Sequence, residues 1–242
     1  MSVVASFDRA AAYDAHAIVQ RDSAGALANH ILTLDIPPHP RVLEIGCGTG
    51  FLAAALVDRL VGADWLLTDI APSMLERCRQ RFEGRTDVRF AVMDGEAPSQ
   101  AGPFDLICSS FVMQWFCDLP SAIARLRRLL APGGRLAFAT LAEGSFAEWQ
   151  AAHGPLDSGT MTFPSAASLA DLQLEVTTKV RNVPYPDAKS FLRGLKAIGA
   201  GTPHGAHRPL PPARLREVMD RFEASGSNAR YVVATCTGGR LP

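Results

Sequence analysis

The chain has 242 residues, 48% of them hydrophobic, and its 24 basic and 24 acidic side chains leave no formal net charge. That length and apolar content can bury one full core, and the charge balance argues against a nucleic-acid coat or a polybasic membrane anchor. No stretch approaches the ~20 apolar residues of a membrane span, and the first residues lack a signal peptide's basic and apolar regions, so a cytoplasmic protein with neither nucleic-acid nor membrane partners is expected.

In chain order, a helix over about 15–34 is ended by Pro37-Pro-His-Pro40, whose prolines remove amide donors. Arg41-Val-Leu-Glu-Ile45 is an apolar strand running into the turn Gly46-Cys-Gly-Thr-Gly50, and Phe51 to Leu60 is the first crossover helix. The strand Trp65-Leu-Leu-Thr-Asp69 ends in a carboxylate. Pro72 opens a second helix that continues to Arg81, and Val88 to Val92 is a short apolar strand. Phe104 to Ser110 is the fourth strand. Leu119 to Leu130 is a helix stopped by Ala131-Pro-Gly-Gly134, and Arg135 to Leu141 is the fifth strand. Strands alternating with helices at this spacing imply an α/β fold, a mostly parallel sheet covered on both faces.

After residue 141 the rhythm changes. Residues 143–168, rich in Gly, Ser, Thr and Pro, read as a lid or loop. Leu174 to Val183 is a strand, Asp187 to Ile198 and Pro211 to Ala224 are helical in pattern, and Tyr231 to Thr237 is a closing strand. One domain over 1–242 is expected, divided into an N-terminal helical cap (1–35), a cofactor-binding core (40–141), a lid (143–173) and a helical insertion (184–228). The five cysteines, Cys47, Cys78, Cys108, Cys117 and Cys236, are odd in number and scattered, which reads as free thiols and no metal site.

Strand, glycine turn, helix and a second strand ending in an acid make a nucleotide-binding βαβ unit. A dinucleotide fingerprint would need a third glycine where this chain has Phe51. The pattern Glu44-x-Gly46-x-Gly48-x-Gly50 instead resembles the first motif of class I methyltransferases, which bind S-adenosyl-L-methionine. The resemblance implies a Rossmann-like, seven-stranded, mostly parallel sheet with an antiparallel last strand, and a helical insertion before that strand. It also implies a cofactor pocket. Glu44, Gly46, Cys47, Gly48 and Gly50 would form the turn that cradles the amino-acid tail, and Asp69, with Ile70 and Met74 after it, would receive the ribose hydroxyls. Asp94-Gly95-Glu96 would hold the adenine amino group. Ser109, Ser110 and Gln114 follow the carboxyl end of the fourth strand, where open α/β sheets face their ligands. Met113 and Trp115 beside them read as core.

A narrower resemblance rests on Phe7-Asp-Arg-Ala-Ala-Ala-Tyr13-Asp14, Met113-Gln-Trp-Phe-Cys-Asp-Leu119, Phe138-Ala-Thr140 and Phe191-Leu-Arg-Gly-Leu-Lys-Ala-Ile-Gly-Ala200. Together these look like the biotin-pathway malonyl-[acyl-carrier protein] O-methyltransferases. The chain departs from that family's usual Ser-Thr-Phe-Gly after the fifth strand with Ala139-Thr-Leu-Ala142, and its C-terminal strand is a loose match. The resemblance implies methylation of the free carboxylate of a malonyl thioester, with Tyr13 orienting that carboxylate or closing over the reacting methyl, Phe163 excluding water, and malonyl-loaded acyl carrier protein as partner. Asp14 would contact the cofactor or cap the neighbouring helix. Lys189, Arg193 and Lys196 share one helical face, with Arg181, Arg208, Arg214 and Arg216 nearby in sequence, and offer a surface to an acidic carrier.

Two other readings stay open. One is a methyltransferase acting on another small, trans-aconitate-like acid or on a quinone-precursor carbon; a carbon acceptor would call for a base such as His16, His153 or His204. The other is a non-catalytic S-adenosylmethionine-binding partner protein.

Overall fold

The computed structural model describes residue 14, residues 17–197 and residues 209–240. Tyr13, His16, His204 and Arg208 lie outside the described residues. The strands are β1 (Arg41–Ile45), β2 (Asp64–Asp69), β3 (Val88–Val92), β4 (Phe104–Ser110), β5 (Leu130–Leu141), β6 (Glu175–Pro184) and β7 (Asn228–Gly239). They form one sheet in the order β3-β2-β1-β4-β5-β7-β6, and β7 alone runs antiparallel to its neighbours. The helices are α1 (Ile18–Ile31), α2 (Phe51–Leu56), α3 (Pro72–Arg81), α4 (Leu119–Arg128), α5 (Ala147–His153), α6 (Ala166–Ala170), α7 (Ala188–Ala197) and α8 (Pro212–Ala224). Among them none is long and apolar enough to cross a membrane.

The apolar runs of β1, β2 and β4 exist because both sheet faces are covered. Successive side chains alternate between two cores. Val42, Trp65, Leu67, Leu106, Cys108 and Ala139 face α1, α2, α5, α7 and α8. Leu43, Leu66, Ile107, Leu136 and Phe138 face α4 and α6. Pro72 stands in the first turn of α3, where its missing amide costs nothing. The Asp118 carboxylate caps α4 by accepting from the Ser121 amide at 3.1 Å.

Two expectations are corrected. Ala131-Pro-Gly-Gly134 does not simply stop a helix: Leu130 already pairs with Phe104, and the register then shifts so that Leu106 pairs with Arg135. The four residues are therefore an irregularity inside β5. The segment expected to be a loop over 143–168 contains α5 and the start of α6, and buries Trp149, Ala152, His153 and Phe163. The ring of Trp149 lies 5.4 Å from those of both Phe191 and Phe222. This helix is stabilised by the apolar faces of α7 and α8, some forty or more residues away, so local composition does not disclose it.

The two helices of the insertion are joined to each other directly. Phe191 stacks on Phe222 at 5.3 Å, and the Ala188 amide donates to Glu223 Oε1 at 2.9 Å. Phe191 is fully buried among the rings of Phe146, Trp149, Tyr185 and Phe222. Phe191→Ala is expected to lower the unfolding free energy by about 3–5 kcal/mol. Urea titration measures it, and a loss below about 1 kcal/mol would mean the insertion packs loosely.

Candidate active site

The turn between β1 and α2 is built by glycines at positive φ: +63° at Gly46, +55° at Gly48 and +87° at Gly50. A Cβ on Gly46 would stand 2.2 Å from Val112 Cγ2, and one on Gly50 would stand 2.8 Å from the Phe82 ring. Those two glycines allow close packing. A Cβ on Gly48 would meet nothing within 4 Å, so this backbone borders open space, as a close-approaching ligand requires. The Cys47 amide donates to the Thr68 carbonyl at 2.8 Å, and the Gly48 amide to Asp69 Oδ2 at 2.8 Å. Asp69 Oδ1 accepts from the Ala71 amide at 2.8 Å. Hydrogen bonding to Cys78 and burial push the Cys47 thiol well above its usual range, so it is neutral and no nucleophile.

Beneath the turn, Glu44 is 1% exposed and its Oε2 has no hydrogen-bond partner. Burial, followed by the proximity of Cys78 and Asp69, raises its pKa well above the carboxylate range; a bond from the Ala53 amide opposes the shift. Ser110 Oγ is also buried without a partner. Glu44 and Ser110 line one cleft with Gln20, Gly46, Gly48 and Thr49. A buried acid and a buried hydroxyl, both unsatisfied at an open cleft beside bare backbone, fit a small polar cation with hydrogen-bonding arms. The ammonium and sulfonium of S-adenosylmethionine meet that description.

Asp14 has a use that the sequence did not disclose. Thr49 Oγ1 donates to Asp14 Oδ1 at 2.6 Å, Arg81 Nη2 to Asp14 Oδ2 at 2.6 Å, and Arg21 to the Asp14 carbonyl at 2.7 Å. Both guanidinium groups lie 5.1 Å from the Phe51 ring centroid. The residue following Tyr13 is thus tied to the glycine turn and to the end of α3.

The remaining candidates divide by what their side chains touch. Ile70 is 41% exposed, whereas Met74 is buried. Asp94 is exposed and Oδ1 accepts from the Glu96 amide; the Glu96 carboxylate itself accepts from the amides of Cys117 and Asp118 and so places the entry to α4. Gly95 is pressed against Ile45, whose Cγ2 would be 2.2 Å from an added Cβ. Ser109 Oγ donates to the Ile45 carbonyl at 2.8 Å. Gln114 bridges the Phe111 carbonyl and Thr140 Oγ1. Of Ser109, Ser110 and Gln114, at and beyond the end of β4, Ser110 alone lines the cleft. Phe163 packs on Phe146, with ring centroids 5.9 Å apart. His153 is buried edge-on to Trp149, with Nδ1 2.8 Å from that residue's carbonyl oxygen. Lys189, Arg193 and Lys196 are exposed on α7, whereas Arg181 and Arg214 are already paired with Asp22 and Glu217.

Comparison with known proteins adds to this geometry. A family model described as a methyltransferase domain matches residues 43–136. A malonyl-[acyl-carrier protein] O-methyltransferase of Magnetococcus marinus is 40% identical over 222 residues, covering 88% of this chain and 82% of the relative; one of Geobacter sulfurreducens is 35% identical over 260 residues, covering 97% of each. The biotin biosynthesis bifunctional protein BioCD of Bordetella avium is 45% identical over 96% of this chain, which spans only 51% of that longer protein. Among solved structures, the YcgJ protein of Bacillus subtilis superposes with a TM-score of 0.60 at 20% identity, covering 90% of this chain and 99% of its own. Phosphoethanolamine N-methyltransferase 2 of Haemonchus contortus, in complex with S-adenosyl-L-methionine, gives 0.60 at 16% identity, covering 99% of this chain and 60% of its own.

Gly48→Ala is expected to keep the fold at a cost of about 1 kcal/mol of backbone strain, yet to weaken S-adenosylmethionine binding at least about tenfold. Calorimetry with both proteins checks it; equal affinities would place the ligand elsewhere. Because the folded-state pKa of Glu44 is raised, the stability it contributes is present below the unfolded carboxylate pKa and is lost as pH rises through the folded value. Without ligand, the wild type should therefore gain stability relative to Glu44→Gln as pH falls from about 8 to about 5. Urea midpoints that keep a constant difference across that range would contradict a perturbed carboxyl.

Proposed function

The chain belongs to the malonyl-[acyl-carrier protein] O-methyltransferase family, and we propose that it esterifies the free carboxylate of a malonyl thioester carried on acyl carrier protein, an early step of biotin synthesis. The observation that carries the reading is similarity to that enzyme over almost the whole chain, coupled to a cleft whose buried acid lacks a partner. The cofactor is S-adenosylmethionine, which supplies a methyl group made electrophilic by its sulfonium.

Glu44 offers its partnerless oxygen to the cofactor's ammonium, Asp69 its carboxylate to the ribose, and Asp94 its carboxylate to the adenine amino group. Gly48 keeps the approach open. Tyr13 and Phe163 close the reacting centre and exclude water.

The acceptor needs little help to become a nucleophile. A carboxylic acid with a pKa near ~4 is ionised at neutral pH, so no protein base is required. His153, turned toward the Trp149 carbonyl inside the aromatic core, is in keeping with that economy. As the oxygen–carbon bond forms the carbon–sulfur bond breaks, and no proton moves. What the protein adds is alignment: holding attacking oxygen and methyl about 3 Å apart and in line with sulfur supplies several kcal/mol.

Carrier recognition falls to the basic face of α7. Lys189, Arg193 and Lys196 stand three and four residues apart, and neither lysine has an ion-pair partner among the described residues. They steer an acidic carrier so that its thioester enters beside α7.

Incubation with methyl-labelled S-adenosylmethionine and, separately, malonyl carrier protein, malonyl coenzyme A and free malonate tests the reaction. Base-labile methyl ester is expected on the thioesters and most strongly on the carrier; no ester on any acceptor would refute it. Arg193→Glu combined with Lys196→Glu should raise KM for malonyl carrier about tenfold at low salt, with kcat and the reaction of malonyl coenzyme A little changed. An unchanged KM would remove this face from the docking surface.

A further inference from the structure

Tyr231 lies on β7 and Tyr185 immediately follows β6, and their hydroxyl oxygens are 2.9 Å apart. Tyr231 is 3% exposed and Tyr185 is half-buried. Two phenols carry two protons, and their mutual bond uses one. Among the described residues neither oxygen has another partner, so one donor of this largely buried pair remains unspent. Burial raises the pKa of both groups above the ordinary tyrosine value, which keeps that proton in place at neutral pH.

The walls around this pair are aromatic. Phe146 meets Tyr231 edge-on at 4.9 Å, Phe191 meets Tyr185 at 5.2 Å, and Phe163 packs on Phe146. Strand register puts the pair on the same side of the sheet as the cofactor cleft. Ser110 pairs with Ala139, Ala139 with Thr235 and Leu141 with Val233, so Tyr231 follows Val233 on one face, beyond the carboxyl end of β5. From Ser110 that is two strands across, roughly 10 Å, and four residues along, roughly 13 Å. Among the described residues the buried cation is Arg127, and it is bound to the carbonyls of Leu172 and Gln173 from a helix on the opposite face.

We propose that the Tyr185–Tyr231 hydroxyl pair binds the acceptor's reacting carboxylate, orienting it with an uncharged hydrogen bond between aromatic walls. This deepens the carboxylate-acceptor reading and rests on it. A nucleophilic carboxylate held by arginine or lysine would be dulled by the ion pair, whereas a neutral phenol fixes its direction and leaves its charge. The methyl ester formed is uncharged and a weaker acceptor, so the same pair releases it readily.

Tyr185→Phe and Tyr231→Phe each remove one oxygen and nothing else. With S-adenosylhomocysteine present, the affinities of malonyl-pantetheine and of its methyl ester are measured for wild type and both variants. Each variant should bind malonyl-pantetheine about tenfold more weakly and the ester less than about twofold more weakly, with cofactor affinity unchanged and kcat down at least about tenfold. Equal losses for acid and ester, unchanged binding of the acid, or a wild type that does not bind malonyl-pantetheine would each overturn the assignment. Tyrosine-dependent binding by a wild type that forms no ester would uphold it and reject the proposed reaction instead.

Discussion

The hydrogen bond from the Gly48 amide to the Asp69 carboxylate joins the turn after β1 to the end of β2, and the cleft is arranged around that joint. It requires Gly48 to lie at positive φ, a conformation that side chains other than glycine adopt only with strain. Once made, it fixes the direction in which α2 leaves the sheet, and with it Thr49, to which the residue beside Tyr13 is tied. Gly46 and Gly50 complete the turn for a different reason, since Val112 and Phe82 occupy the space their side chains would need.

The same corner concentrates an electrostatic tension. Glu44 is buried beside Asp69 and Cys78, so without a cation nearby its carboxyl favours the protonated form. A cation bound in the cleft would relieve that preference by supplying the missing charge. Folding therefore holds this carboxyl away from the ionisation state it has in water, a perturbation that clusters at functional sites.

The aromatic region on this side of the sheet is shaped by β7, which runs antiparallel to the rest. Its first residues lie beyond the carboxyl end of β5, where a parallel strand would have placed its last. The insertion of α7 and α8 between β6 and β7 then packs Phe191 and Phe222 against Trp149, and the aromatic wall is assembled from α5, α7, α8 and β7. The exposed basic side of α7 is the other face of the helix whose Phe191 closes the wall.

Strand runs, glycine turn and terminal acid were readable in the chain because each is a local pattern: apolar continuity for β1, β2 and β4, positive-φ residues in the turn, a carboxylate at a strand end. The order of elements and the antiparallel closing strand followed from their alternation and from the family resemblance. Helix α5 was not readable, since its stability comes from rings distant in sequence. Nor were the internal bonds of Glu96, Ser109 and Gln114, whose polar side chains look as well suited to a ligand as Ser110. A side chain's partner is chosen by distance in space, and only packing brings Asp14 to Arg81, or Tyr185 to Tyr231, across 67 and 46 positions of chain.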